Sequence, residues 1–257
     1  MKLIILTILI VLASASVRAE EPFIVFTNDK ALQARGAKPY TLTQKHFWFD
    51  KVDGKYDYSK HSVNRTKKFF PRNADGLIVI DIEVWDLTPE TRDDVYQKML
   101  SVTNTVRTIA PGNRIGWYSF LPKQDYLDPI KHKPGDPAYE TWTAENRANI
   151  KKFGHLFDFI APSVFTFYES DTIESWSRYA GANIDEAVVA NKQIYAFVWP
   201  IYQETKAPIP DELWRQQLRF LRDYKHCNGV FVFSTGSRHD WQAAVAEELL
   251  SSKRKAK

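Results

Sequence analysis

The chain has 257 residues, 44% of them hydrophobic and 14% aromatic, with one cysteine and a formal net charge of +4. A lone Cys227 excludes an intrachain disulfide framework, so stability must come from packing rather than cross-links. The charge is mild, much of it sits in the tail Lys253-Arg254-Lys255 and Lys257, and the basic residues form no motif with interleaved aromatics, which argues against nucleic acid as a partner.

Met1-Lys2 precedes an apolar run, Leu3 to Ala13, and then small residues, with Val17 and Ala19 placed as a signal peptidase requires before its cut. Residues 1–19 are expected to be an export signal cleaved near Ala19, which makes the mature protein secreted or periplasmic. The run is too short to cross a bilayer and no later segment approaches that length, so no stable membrane insertion is expected. Residues 20–257 suit one domain of barrel size, expected to act as a monomer.

Seven short runs rich in Val, Ile and aromatics follow, spaced to leave room for a helix between them. They are Phe23 to Asn28, His46 to Phe49, Leu77 to Glu83, Arg114 to Phe120, Phe157 to Phe165, Gln193 to Tyr202 and Gly229 to Thr235. A parallel α/β chain reads this way, and the expected fold class is a TIM-like (β/α) barrel of seven parallel strands. An open doubly wound sheet would need a glycine-rich strand-to-helix turn for its nucleotide, and none is present. After the third run, Thr88-Pro89-Glu90 reads as an N-cap with proline at the first helical position. Val95, Met99, Val102 and Val106 then repeat at helical spacing until Pro111-Gly112. Thr141 to Phe153, Thr172 to Ala190, Asp211 to Tyr224 and Trp241 to Ser251 read as further helices, and the proline-rich Lys123 to Tyr139 as a long loop of the kind that often carries function.

In a parallel barrel the chemistry gathers at the carboxyl ends of the strands. The third run ends Asp81-Ile82-Glu83-Val84-Trp85. Strand side chains alternate, so Asp81 and Glu83 share one side, and if Ile80 and Ile82 pack against helices both acids face the barrel mouth. Two close, partly buried acids repel, which raises the proton affinity of at least one and makes a general acid available near neutral pH. Other strand ends offer Trp117 and Tyr118, Phe165 with Tyr168, Trp199 with Tyr202, and Phe233. Flat apolar sugar faces match such rings, so a carbohydrate polymer is the expected substrate, with Tyr118, Trp85, Phe165, Tyr168, Trp199, Tyr202 and Phe233 as candidate contacts. The six histidines are scattered with no pair at ligand spacing, so neither a metal nor another cofactor is expected.

These motifs resemble a known family. Gly76 to Trp85, an apolar run ending in D-x-E-x-W, looks like the active-site strand of the hyaluronidases. Ile115-Gly-Trp-Tyr-Ser-Phe120, Ala161-Pro-Ser-Val-Phe165 and Tyr195-Ala-Phe-Val-Trp-Pro-Ile-Tyr202 resemble that family's later segments in the same order, and Pro22 to Asn28 its first strand. The resemblance implies a seven-stranded barrel and a glycoside hydrolase with Glu83 as acid and base, Asp81 orienting a 2-acetamido group and Tyr118 lining the cleft. It also implies a substrate-assisted mechanism, an exception to the two-carboxylate scheme. Phe165 stands where the family has tyrosine, and Phe233 where it has tryptophan. Two other readings stay open: a barrel that binds carbohydrate without cleaving it, and a hydrolase with a separate nucleophile, for which Glu169 is the nearest candidate.

Overall fold

The computed structural model describes residues 22–71, 76–126, 128–234 and 241–251. The expected export signal, Thr235 and the basic tail lie outside them. The strands are β1 (Ile24–Thr27), β2 (Tyr40–Thr43), a short antiparallel hairpin of β3 (Lys51–Val52) and β4 (Lys55–Tyr56), then β5 (Leu77–Ile80), β6 (Ile115–Trp117), β7 (Tyr195–Val198) and β8 (Gly229–Val232). The helices are α1 (Lys30–Gln33), α2 (Lys45–Trp48), α3 (Val63–Phe69), α4 (Arg92–Ile109), α5 (Asp128–Lys131), α6 (Pro137–Phe153), α7 (Ile173–Val188), α8 (Asp211–Asp223) and α9 (Trp241–Val245).

Two parallel sheets carry the fold, one in the order β1-β8-β7 and the other β2-β5-β6. The stretch 157–165 runs between them. Its backbone reaches β6 through Asp158 N to Ile115 O at 2.7 Å and β7 through Tyr195 N to Ile160 O at 2.9 Å and Phe197 N to Pro162 O at 2.8 Å. On the far side, a bridge joins Phe26 of β1 to Lys38, just ahead of β2.

Alternation along the strands separates two apolar clusters. Leu77 and Val79 of β5 join Phe26, Phe159, Phe197 and Phe231 in an aromatic interior, where Phe197 and Phe231 stack at 4.5 Å. Ile78 and Ile80 face the other way, among Val95, Met99 and Val102 of α4. Gly116 faces inward because a Cβ there would stand 2.3 Å from the Phe159 ring. The glycine of the Ile-Gly-Trp-Tyr motif is thus a packing requirement of the interior.

Several expectations need correction. His46 to Phe49 is not a strand: it falls on the single turn of α2 and its exit, and β2 is Tyr40-Thr-Leu-Thr43 just before it. A four-residue aromatic run fits either conformation, and Trp48 and Phe49 are buried here from a helical turn. Phe157 to Phe165 forms isolated bridges rather than a continuous strand, since Pro162 has no N–H to give a ladder. Finally, Thr88 does not cap α4. It closes a preceding turn with Thr91, whose hydroxyl donates to Asp86 O at 2.6 Å, and the helix begins at Arg92. The loop after β6 also carries the short α5, and α6 begins at Pro137 rather than Thr141.

Candidate active site

Asp81 sits one residue past β5, yet its N–H still donates to Thr43 O at 3.0 Å, and Tyr118 continues β6 in the same way by donating to Ile80 O at 2.9 Å. The ladder therefore sets both side chains before the chain turns away. Ile80 and Ile82 are buried in the helix-side cluster. Asp81 and Glu83 project to the opposite side and line one hollow of about 240 Å³. Their carboxyl groups share a hydrogen bond. Burial first, and the Glu83 charge and hydrogen bond after it, push the Asp81 carboxyl up to about 7.

Aromatics form the rest of the hollow. Phe165 lies 5.4 Å from Trp199 and nearly parallel to Phe233 at 6.4 Å, so the three rings make one wall. Tyr118 lines the same hollow, its hydroxyl donating to Ser163 Oγ at 3.2 Å, and burial holds that phenol well above its ordinary range. Tyr40 is packed beneath, close enough for the Asp81 charge, added to burial, to raise its phenol as well.

Glu83 and Tyr118 also border a second hollow of about 330 Å³, which shares Lys123 and Gln124 with a third of about 420 Å³ beside Trp142. The acids thus stand within a series of adjoining depressions, a shape suited to a polymer. The segment forming the divide is tied down: Lys123 N donates to Asn146 Oδ1 at 2.7 Å, Trp142 Nε1 donates to Lys123 O at 3.1 Å, and Gln124 Nε2 donates to the Tyr179 hydroxyl.

The structure divides the expected contacts. Asp81, Glu83, Tyr118, Phe165, Trp199 and Phe233 come together in the first hollow. Trp85 borders only the second, with its indole 8% exposed and Nε1 donating to Tyr58 O at 3.0 Å, so its main work is packing against Phe49 and Trp117. Tyr202 is 4% exposed within the helix-side cluster and lines none of these hollows. Tyr168 is exposed and leans on Tyr126 at 5.4 Å, outside the first hollow, so it does not supply there the hydroxyl that Phe165 lacks. Glu169 accepts from Thr205 Oγ1 at 2.8 Å and is likewise absent from the lining. Sequence reasoning missed Gln44, Gln203 and Lys206, all loop residues whose place in the hollow depends on tertiary folding. Lys206 lies 4.6 Å over the Trp199 ring, and Gln203 Oε1 is buried with no hydrogen-bond partner among the described residues. Among the described residues no three His, Cys, Asp or Glu side chains gather as a metal site would require, and no helix is long and apolar enough to cross a membrane.

No family model and no curated protein sequence matches the chain. Solved structures do. A monoclinic crystal structure of bee venom hyaluronidase aligns with a TM-score of 0.60 at 14% identity, covering 88% of this chain and 95% of that one. The complex of bee venom hyaluronidase with a hyaluronic acid tetramer aligns at 0.58 and 14% identity, over 88% and 94% of the two chains. A glucosidase from Croceicoccus marinus aligns at 0.50 and 11% identity, over 86% of this chain and 52% of its own. Likeness at such identity speaks for fold, and the chain accordingly has a parallel α/β fold of TIM-barrel type, similar over most of its length to bee venom hyaluronidase.

Proposed function

We propose that this chain is an exported glycoside hydrolase that cleaves a glycan bearing N-acetylhexosamine, with Glu83 as acid and base and Asp81 orienting the 2-acetamido group. The observation that carries the reading is the hydrogen-bonded Asp81 and Glu83 pair, which burial keeps protonated up to near-neutral pH, at the edge of an aromatic hollow. The same reading takes both sheets and the stretch 157–165 as one seven-stranded barrel, residues 20–257 as its single domain and residues 1–19 as its export signal.

Two carboxyl groups in hydrogen-bond contact do not straddle a scissile bond. A two-carboxylate site separates them by about 5–5.5 Å for retention or about 6.5–9.5 Å for inversion. With Glu169 outside the hollow, substrate assistance fits better. The amide N–H of the sugar meets Asp81, which leaves the proton of the pair on Glu83. The acetamido oxygen then attacks the anomeric carbon while the bond to the leaving oxygen breaks, and Glu83 gives that oxygen its proton. Glu83 next takes a proton from water, whose oxygen attacks the same carbon and restores the acetamido group with the anomeric configuration retained.

Phe165 and Phe233 favour a second reading, a barrel that binds carbohydrate without cleaving it, since the wall they form offers no hydroxyl. Glu83→Gln separates the two. The hydrolase reading expects turnover to fall at least about 100-fold with fold and glycan binding intact, whereas glycan binding by the wild type without product from any polymer supports the second.

A further inference from the structure

Between β2 and β5 the chain makes an excursion, residues 45–69, that holds seven Lys and Arg against three Asp, an excess equal to the whole chain's formal +4. Along the sequence these residues are merely dispersed. Folding of α2, the β3–β4 hairpin and α3 gathers four of them, Lys45, Lys51, Arg65 and Lys68, around two rings. Lys45 Nζ, Lys51 Nζ and the Arg65 guanidinium lie 5.7, 5.0 and 5.8 Å from the Tyr56 centroid. Arg65 and Lys68 lie 4.7 and 5.2 Å from that of Phe69, itself 42% exposed.

Ion pairing does not account for this cluster. Among the described residues, Lys45, Lys51 and Lys68 have no carboxylate within 4.0 Å, and Arg65 meets Asp50 only at that limit. Arg65 is also fixed from behind, its Nε donating to His46 O at 2.7 Å. The rings hold long cationic side chains at defined positions, so part of the entropy that a polyanion would have to remove is already lost. Because cations cover the ring faces, the cluster presents charge rather than apolar surface. It also adjoins the acid hollow: Gln44, the residue before Lys45, lines that hollow, and Phe49 and Tyr58 of the excursion pack on and hydrogen-bond Trp85, two residues beyond Glu83.

We infer that the Tyr56 and Phe69 cluster is a docking surface for a densely anionic, sulfated polysaccharide, separate from the catalytic hollow and independent of what that hollow cleaves. Three cations around one ring are close enough that a polymer charged on every sugar would meet all of them, and a sparsely charged or neutral one would not.

The test is binding of the full-length protein to heparin, hyaluronan, uncharged dextran and anionic phosphatidylserine vesicles over a salt series. The variant Lys45→Gln/Lys51→Gln/Lys68→Gln changes three exposed side chains, and Lys151→Gln/Arg178→Gln/Lys225→Gln removes the same charge from other exposed positions. The expected result is heparin binding by the wild type stronger than hyaluronan binding, with no dextran binding. The cluster variant should lower the slope of log affinity against log salt by roughly 2–3, while the control triple leaves it near the wild-type value. Equal loss in both triples would reduce the effect to overall charge and overturn the inference. So would failure of the wild type to bind heparin, or binding to the vesicles alone.

Discussion

Replacing Asp81 by asparagine should stabilise the protein at alkaline pH and leave it nearly unchanged in acid. The Asp81 carboxyl, moved by burial and then by Glu83, titrates at about 7 in the fold against an ordinary 3.8 in the unfolded chain. Between those values the folded protein keeps a proton that the unfolded chain has released. Stability therefore falls as pH rises through that window and levels off above it. At about 1.4 kcal/mol for each pH unit, a rise from 3.8 to about 7 corresponds to roughly 4 kcal/mol. Asparagine does not titrate and still offers an N–H to Glu83, so the variant escapes that loss. Urea denaturation of both proteins from about pH 4 to about pH 9 reads it directly. The stability gained by Asp81→Asn should grow with pH by up to roughly 4 kcal/mol and flatten above about 7. A difference that stays constant with pH would refute the burial argument.

Other outcomes follow from the same geometry. Turnover by the wild type should decline as pH climbs through about 7, where the acid pair loses its proton, and a flat rate from about pH 6 to about 9 would count against proton donation by the pair. Trp199→Ala removes the middle ring of the aromatic wall and should raise KM for a polymer about tenfold with a smaller effect on kcat, measured by steady-state kinetics. Gly116→Ala drives a methyl group into the Phe159 ring and should cost about 1–3 kcal/mol, seen as a lower Tm, whereas an unchanged Tm would mean that the interior yields freely.

The legible parts of the chain were those whose signal is local. Leu77 to Glu83 carries an unbroken apolar run, two acids and the alternation that puts both on one side, so strand and acid pair emerge from a few consecutive residues. Tyr40 to Thr43 is as short and half threonine, and the aromatic His46 to Phe49 beside it is the stronger hydrophobic signal although it forms a helical turn. Pro162 hides the bridging stretch in a different way, by breaking the ladder inside a run that reads as continuous. At the site, strand ends place Tyr118, Phe165, Trp199 and Phe233 around the hollow, but alternation alone could not tell them from Tyr202, which turns into the helix-side cluster. Gln203 and Lys206 come from a loop whose path is decided by contacts such as Gln203 N to Thr166 O at 2.7 Å, distant in sequence. The cation cluster around Tyr56 was invisible for the same reason, being assembled from three elements.

Reducing-end release reads the roles of Glu83 and of the acetamido group in one assay, with wild type and Glu83→Gln compared on hyaluronan, chondroitin, chitin, peptidoglycan and uncharged plant or algal glycans, each N-acetylated polymer paired with its N-deacetylated form. Substrate-assisted hydrolysis by Glu83 predicts wild-type cleavage of at least one N-acetylated polymer, no cleavage of its deacetylated counterpart and none by Glu83→Gln. Cleavage that survives in Glu83→Gln, or that ignores the acetamido group, would contradict it.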